Sequence, residues 1–136
     1  MTVERLNPAT MPPPVDDTKY SHVAIGRGSA VVAIAGQIAN DANGDVVGIG
    51  DYEAQAEQAF RNFAAALAAA GAGPDDLIKN TIHVVGHRPE LTESIFAAGR
   101  RAFGGNWPRS ASTYLGVAAL GHPDWLIEID GIAVIS

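Results

Sequence analysis

Only two stretches of this chain carry the apolar spacing of an amphipathic helix, while five or six short runs are apolar in the manner of strands. In the first helical stretch Ala56, Phe60, Phe63, Leu67 and Ala70 recur at alternating steps of four and three. Asp51 stands ahead of it as a cap, and Gly71 with Gly73-Pro74 stops it. Glu57 and Arg61, one turn apart, make a favourable but weak outer pair. The second helix begins near Pro89, a residue suited to a first turn, and aligns Leu91, Ile95, Ala98 and Ala102 before Gly104-Gly105 ends it. Two helices cover one face of a sheet of about six strands and leave the other bare. The strands are apolar on both sides, so the bare face needs burial, and self-association is the economical answer. The fold class that follows is α/β in content and α+β in layout, in the order ββ, turn, α, β, α, ββ.

The strands are read from their punctuation. Residues 1–19 hold four of the eight prolines and no periodicity, which predicts an extended lead-in rather than a helix or an ordinary strand. Tyr20 to Ile25 suits a short strand, ended by Gly26-Arg27-Gly28 and paired as a hairpin with the buried run Ala30 to Ile38. Gly36 inside that run marks a bulge or a close approach to the backbone. Asn40 to Asp45 is dense in turn formers. Leu77 to Val85 alternates, with Ile78, Ile82 and Val84 on one face and Lys79, Thr81 and His83 on the other. Trp107 to Ile135 holds two long strands joined at Gly121-His122-Pro123-Asp124.

A length of 136 residues sets one domain, residues 1–136. The net charge of −6 and the lack of a Lys/Arg run argue against nucleic-acid binding. Cysteine is absent, which excludes a disulfide framework and a thiol nucleophile. The N-terminal residues lack an apolar leader core, and no apolar run is long enough to span a bilayer, so a soluble cytoplasmic protein without membrane contact is expected.

Most chemical signals reduce to bland readings. Asp41-x-Asn43-x-Asp45 resembles the start of a calcium loop but has Val46 for the required glycine and Tyr52 for the bidentate glutamate, so a polar turn fits better. His83 and His87 straddle a strand end and do not share the face a metal pair needs, and neither a metal nor another cofactor is expected. His22 and His122 suit hydrogen-bonded or surface positions. Ser110 and Ser112 lack a nucleophile elbow. Glu128 is different, because it stands between Ile127 and Ile129 in an apolar strand. A carboxylate there is paired, hydrogen-bonded or lining a cavity, since bare desolvation is costly.

Several segments together resemble the Rid (YjgF/RidA) family: Tyr20-Ser21-His22, Ala35-Gly36-Gln37-Ile38, the helix from Gln55 to Gly71, Asp76 to Thr81, and Val117-Ala118-Ala119-Leu120 followed by Ile127-Glu128-Ile129. The resemblance runs from about Asn7 to Val134. It implies a chorismate-mutase-like fold, a homotrimer, and small-molecule clefts between subunits. It also implies hydrolysis of reactive imines or enamines to a 2-oxo acid and ammonia. In that chemistry an arginine forks the substrate carboxylate and a last-strand glutamate positions the attacking water. Tyr20, Gly36 and Glu128 match the family's ligand-holding tyrosine and glycine and its catalytic glutamate.

The arginine is where the chain departs. The family places it five residues before the valine of Val-Ala-x-Leu, and counting back from Val117 gives Ser112, followed by Thr113. Arg109 lies three residues earlier and reaches that position only if three residues loop out of an alternating strand. Phe96 stands where the second helix often has asparagine, and Ala35 where serine is common. Two readings remain. One is a cleft lined by Tyr20, Gly36, Ser112, Thr113 and Glu128 that binds a small molecule or acts on a non-carboxylate substrate. The other is a conventional deaminase in which Arg109 is the clamp.

Overall fold

The computed structural model describes residues 3–136. Met1 and Thr2, the start of the expected lead-in, lie outside the described residues. The elements are β1 (Val3–Leu6), β2 (Val23–Gly26), β3 (Ala30–Gln37), α1 (Tyr52–Ala69), β4 (Leu77–Val85), α2 (Thr92–Ala102), β5 (Ala111–Val117) and β6 (Ile127–Ile135). The α+β class with two helices and a mixed sheet is as expected, but the six strands do not form one sheet: they divide into a sheet of four and a ribbon of two.

α1 forms where the capping chemistry permits. The Asp51 carboxylate accepts from the Ala54 amide at 3.0 Å and satisfies one of the amides the first turn leaves free. At the far end Gly71 takes φ 76°, the Gly71 amide donates to Ala68 O, and the Ala72 amide donates to Leu67 O. That pair of bonds is a Schellman stop, and glycine meets its left-handed turn without strain. α2 is shorter at its start than Pro89 suggested, because Pro89–Leu91 form a 3-10 turn and the α-helix begins at Thr92.

The larger sheet has the order β3-β6-β4-β5, with β4 and β5 parallel and the other pairs antiparallel. The parallel pair needs a crossover, and α2 supplies it. Both helices lie on one face, where Phe60, Phe63, Leu67 and Ile95 meet Ile82, Val84, Ile127 and Ile129, all fully buried. Each such side chain contributes about 1.5–3 kcal/mol. Phe103 and Trp107 close the layer edge-on and stacked, with Phe60 5.5 Å from each ring.

Three expectations change. The lead-in contains a strand after all, because β1 pairs antiparallel with β2. The expected hairpin of β2 with β3 is not made. β2 starts at Val23, later than Tyr20, and β3 pairs with β6 while the Ser29 amide donates to Ile135 O. The nine-residue β6 offers two long edges, and β3 and β4 take both. In β4 a register shift between Leu77 and Lys79 sends Leu77 into the core and leaves Ile78 against Gly26.

The second face of the large sheet carries Val31, Lys79, Thr81, His83, Thr113, Leu115, Glu128, Asp130 and Ile132 by alternation. The β1–β2 ribbon reaches only its Val134 end, where a Cβ on Gly26 would lie 2.7 Å from Val134 Cγ2. Val31 is 72 % and Ile132 38 % exposed.

Candidate ligand-binding cleft

β5 is the edge strand of the sheet, and a cavity of about 630 Å³ lies along it. α2 and the segment before β2 complete its walls, with Tyr20, Phe96, Ser112, Thr113 and Tyr114 among the lining residues. The 15–20 segment is held there by its own bonds. The Tyr20 hydroxyl accepts from the Val15 amide at 3.0 Å, Trp107 Nε1 donates to Lys19 O at 2.7 Å, and the Ser21 amide donates to Ser110 O.

Ser112 is in register with Asn80, and the β4–β5 pairing runs without interruption from Lys79/Ala111 to Val85/Val117. The buried Ser110 hydroxyl donates to Asn80 Oδ1 at 3.1 Å and pins the start of that pairing. The Ser112 Oγ is buried and has no hydrogen-bond partner among the described residues. Thr113 Oγ1 instead accepts from Lys79 Nζ at 2.8 Å. Tyr114 packs 5.2 Å from Phe96 and 4.9 Å from His87, and burial pushes its hydroxyl pKa up.

Arg109 is outside this cavity. It precedes β5, is exposed, takes the left-handed φ of 47°, and makes no hydrogen bond or ion pair among the described residues. β5 contains no loop that could carry Arg109 into the place of Ser112.

Gly36 and Glu128 form a second locus on the bare face. A Cβ on Gly36 would lie 2.7 Å from Glu128 Cδ, so only glycine lets the carboxyl lie across β3. The Glu128 carboxylate accepts no hydrogen bond among the described residues, although its backbone oxygen bonds His83 Nδ1 at 3.1 Å. Its strand is set by a buried amide. Gln55, fully buried, donates to Asp124 O at 2.8 Å and to Gly48 O at 3.2 Å, and accepts from the Leu126 amide at 2.8 Å. Those bonds fix the loop two residues before Glu128. In register Glu128 faces His83, which pairs with Leu115. Ser112 is three residues farther along β5, on the opposite face, roughly 14 Å from Glu128 at ordinary strand spacings. The five residues expected to line one cleft thus form two groups within a single chain: Tyr20, Ser112 and Thr113, and then Gly36 with Glu128.

Sequence reasoning missed the charged part of the cavity. Lys19 Nζ lies 2.6 Å from Asp16 Oδ2, 2.8 Å from Glu93 Oε1 and 5.3 Å from the Phe96 ring centre. Burial works to lower the Lys19 pKa, but the bonds to Asp16 and Glu93 outweigh it and leave it raised. Asp16 is held down to about 2, first by Lys19 and then by the Thr18 hydroxyl and amide. Position beside Tyr20 was the one available signal for Lys19, since Asp16 and Glu93 meet it only through the fold.

The bland readings of the Asp41 turn and of two histidines are visible directly. Asp41 Oδ1 accepts from the Asn43 and Asp45 amides, which is a polar turn. His22 Nε2 bonds Pro12 O, and His122 Nδ1 accepts from the Asp124 amide.

The family model described as Endoribonuclease L-PSP matches residues 12–135. Among solved structures, YyfB of Yersinia pestis, a Rid-family protein described as of unknown function, is 37 % identical over 98 % of this chain and 99 % of its own, with a TM-score of 0.87. The chain belongs to the Rid family. Other relatives are more distant. A Mycobacterium tuberculosis member of the YjgF/YER057c/UK114 family is 28 % identical over 85 % of this chain and 86 % of its own, with a TM-score of 0.61. The Rid protein YyfA of Yersinia pestis is 26 % identical over 97 % and 98 %, with a TM-score of 0.66. No functionally curated protein matches the sequence. Among the described residues of this Rid protein, no helix is long and apolar enough to cross a membrane.

Proposed function

We propose that this Rid protein is a homotrimer, working in the cytoplasm, that binds a small molecule in clefts between subunits and is not a standard 2-iminoacid deaminase. One observation carries the reading: β5 runs in unbroken register, so Ser112 lies beside Tyr20 at the cavity and Arg109 stays outside it. A bidentate arginine–carboxylate fork is worth more than a neutral hydrogen bond, and a serine cannot reproduce its charge or reach. Phe96 in the same wall makes the pocket less polar.

Trimer formation would solve two problems at once. It would bury the bare face that holds Val31 and Ile132, and it would bring the Gly36–Glu128 locus of one copy toward the Tyr20–Ser112 cavity of another. In such a cleft the unpartnered Glu128 orients a water or a ligand amine, while the Ser112 hydroxyl and the free edge of β5 offer hydrogen bonds. A second reading, hydrolysis of an imine or enamine without a carboxylate, is supported by Glu128 alone, whose carboxylate accepts no hydrogen bond among the described residues.

Light scattering at micromolar concentration tests the assembly. Three copies of 14.1 kDa are expected, and a monomer would contradict it. Presenting 2-iminoacids made by an amino-acid oxidase tests the activity, and no acceleration of their loss is expected.

A further inference from the structure

The cavity already contains one bound ammonium, that of the chain's own Lys19. Its Nζ is 2.6 Å from Asp16 Oδ2, 2.8 Å from Glu93 Oε1 and over the Phe96 ring. Two carboxylates and an aromatic face are the groups that recognise a protonated amine. Among the lining residues Lys19 is the one cation, against the carboxylates of Asp16 and Glu93, while Arg100 lies 3.9 Å from Glu93 Oε2 and Lys79 bonds the lining Thr113, so the preference rests on the seat that holds the Lys19 ammonium and not on net charge.

Lys19 is also spent. Both of its short contacts are to carboxylates, and an incoming anion would have to displace them to use it as a clamp. The Ser112 Oγ, buried beside the same cavity, has no hydrogen-bond partner among the described residues.

We propose that the cleft takes a ligand bearing a protonated amine, seated between Asp16, Glu93 and the Phe96 ring in competition with Lys19. This rests on the cleft being the ligand site of the protein. Glu128, if brought in from a neighbouring copy, adds a further negative charge and strengthens the same preference.

The test uses two probes of matched shape and opposite charge, benzylamine (protonated at neutral pH) and benzoate. Each is titrated into the full-length, isotope-labelled protein at fixed ionic strength, following the amides of Tyr20, Ser112 and Thr113. Benzylamine is expected to bind at least about tenfold more tightly, a modest charge effect in a half-open site. Lys19→Met should tighten benzylamine further by vacating the ammonium position, and Asp16→Asn should weaken it. Benzoate binding as well as or better than benzylamine, and lost in Lys19→Met, would make Lys19 an anion clamp and overturn the proposal while leaving the cleft intact. If neither probe moves those amides, the cleft itself is wrong and the proposal fails with it.

Discussion

Replacing Gln55 with leucine should cost this protein about 3 kcal/mol. Gln55 is fully buried and makes three hydrogen bonds, to Asp124 O, Gly48 O and the Leu126 amide. Leucine has a similar volume, so little cavity forms and the polar loss dominates. Each bond contributes about 1 kcal/mol net, and the stranded Leu126 N–H adds about another 1 kcal/mol of uncompensated desolvation. The greater apolarity of leucine returns roughly 1 kcal/mol. For a chain of this length, 3 kcal/mol corresponds to a fall in Tm of about 10 °C. The assay is thermal and urea unfolding of wild type and Gln55→Leu at one protomer concentration, because assembly shifts apparent stability. Trp125 fluorescence should respond first, since Trp125 lies in the loop that Gln55 holds. A loss below about 1 kcal/mol would refute the claim that this amide fixes the start of β6.

Other perturbations separate packing from the site. Phe60→Ala removes a fully buried ring that touches Phe103 and Trp107, and should cost about 3–5 kcal/mol by chemical denaturation. Gly36→Ala pushes first against the flexible Glu128 side chain, so its stability cost should be about 1 kcal/mol, while a crystal structure should show the carboxylate turned away from β3. Arg109→Ala should leave stability within about 0.5 kcal/mol, measured by urea unfolding, because the side chain is exposed and unpaired among the described residues. Asp16 has a folded pKa of about 2 against an ordinary 3.8, so its hold on the 15–20 segment is full above the ordinary value and fades as pH falls toward 2. Lys19, raised above 10.5, keeps its part of the contact until pH rises past that value. The protection factor of the Ser21 amide, which is hydrogen exchange corrected for the pH dependence of the intrinsic rate, should therefore be flat near neutrality and fall below pH 3.8.

Element type was legible where the chemistry is local. The α1 spacing, the Asp51 cap and the Gly71 stop each concern residues within one turn, and all three are present. Strand partnership was not legible. Val23–Gly26 and Ala30–Gln37 are close in sequence with a glycine-rich turn between them, yet each pairs elsewhere, because a period of two says which face is buried and nothing about which edge is filled. β1 was hidden for a related reason: four residues beside a proline-rich segment carry too few alternations to register. For the site, the count from Val117 to Ser112 is a distance along one strand, and the uninterrupted pairing of β5 fits it. The Lys19–Asp16–Glu93 cluster joins a loop to a helix seventy-four residues away, so no motif could announce it.

The sharpest test of the account is the loss rate of 2-iminoacids, generated in place from a panel of amino acids by an oxidase, with and without the protein. An arginine-free cleft predicts no acceleration by the wild type and no change in Arg109→Ala. Acceleration by the wild type that disappears in Arg109→Ala would contradict it, and would make Arg109 the carboxylate clamp.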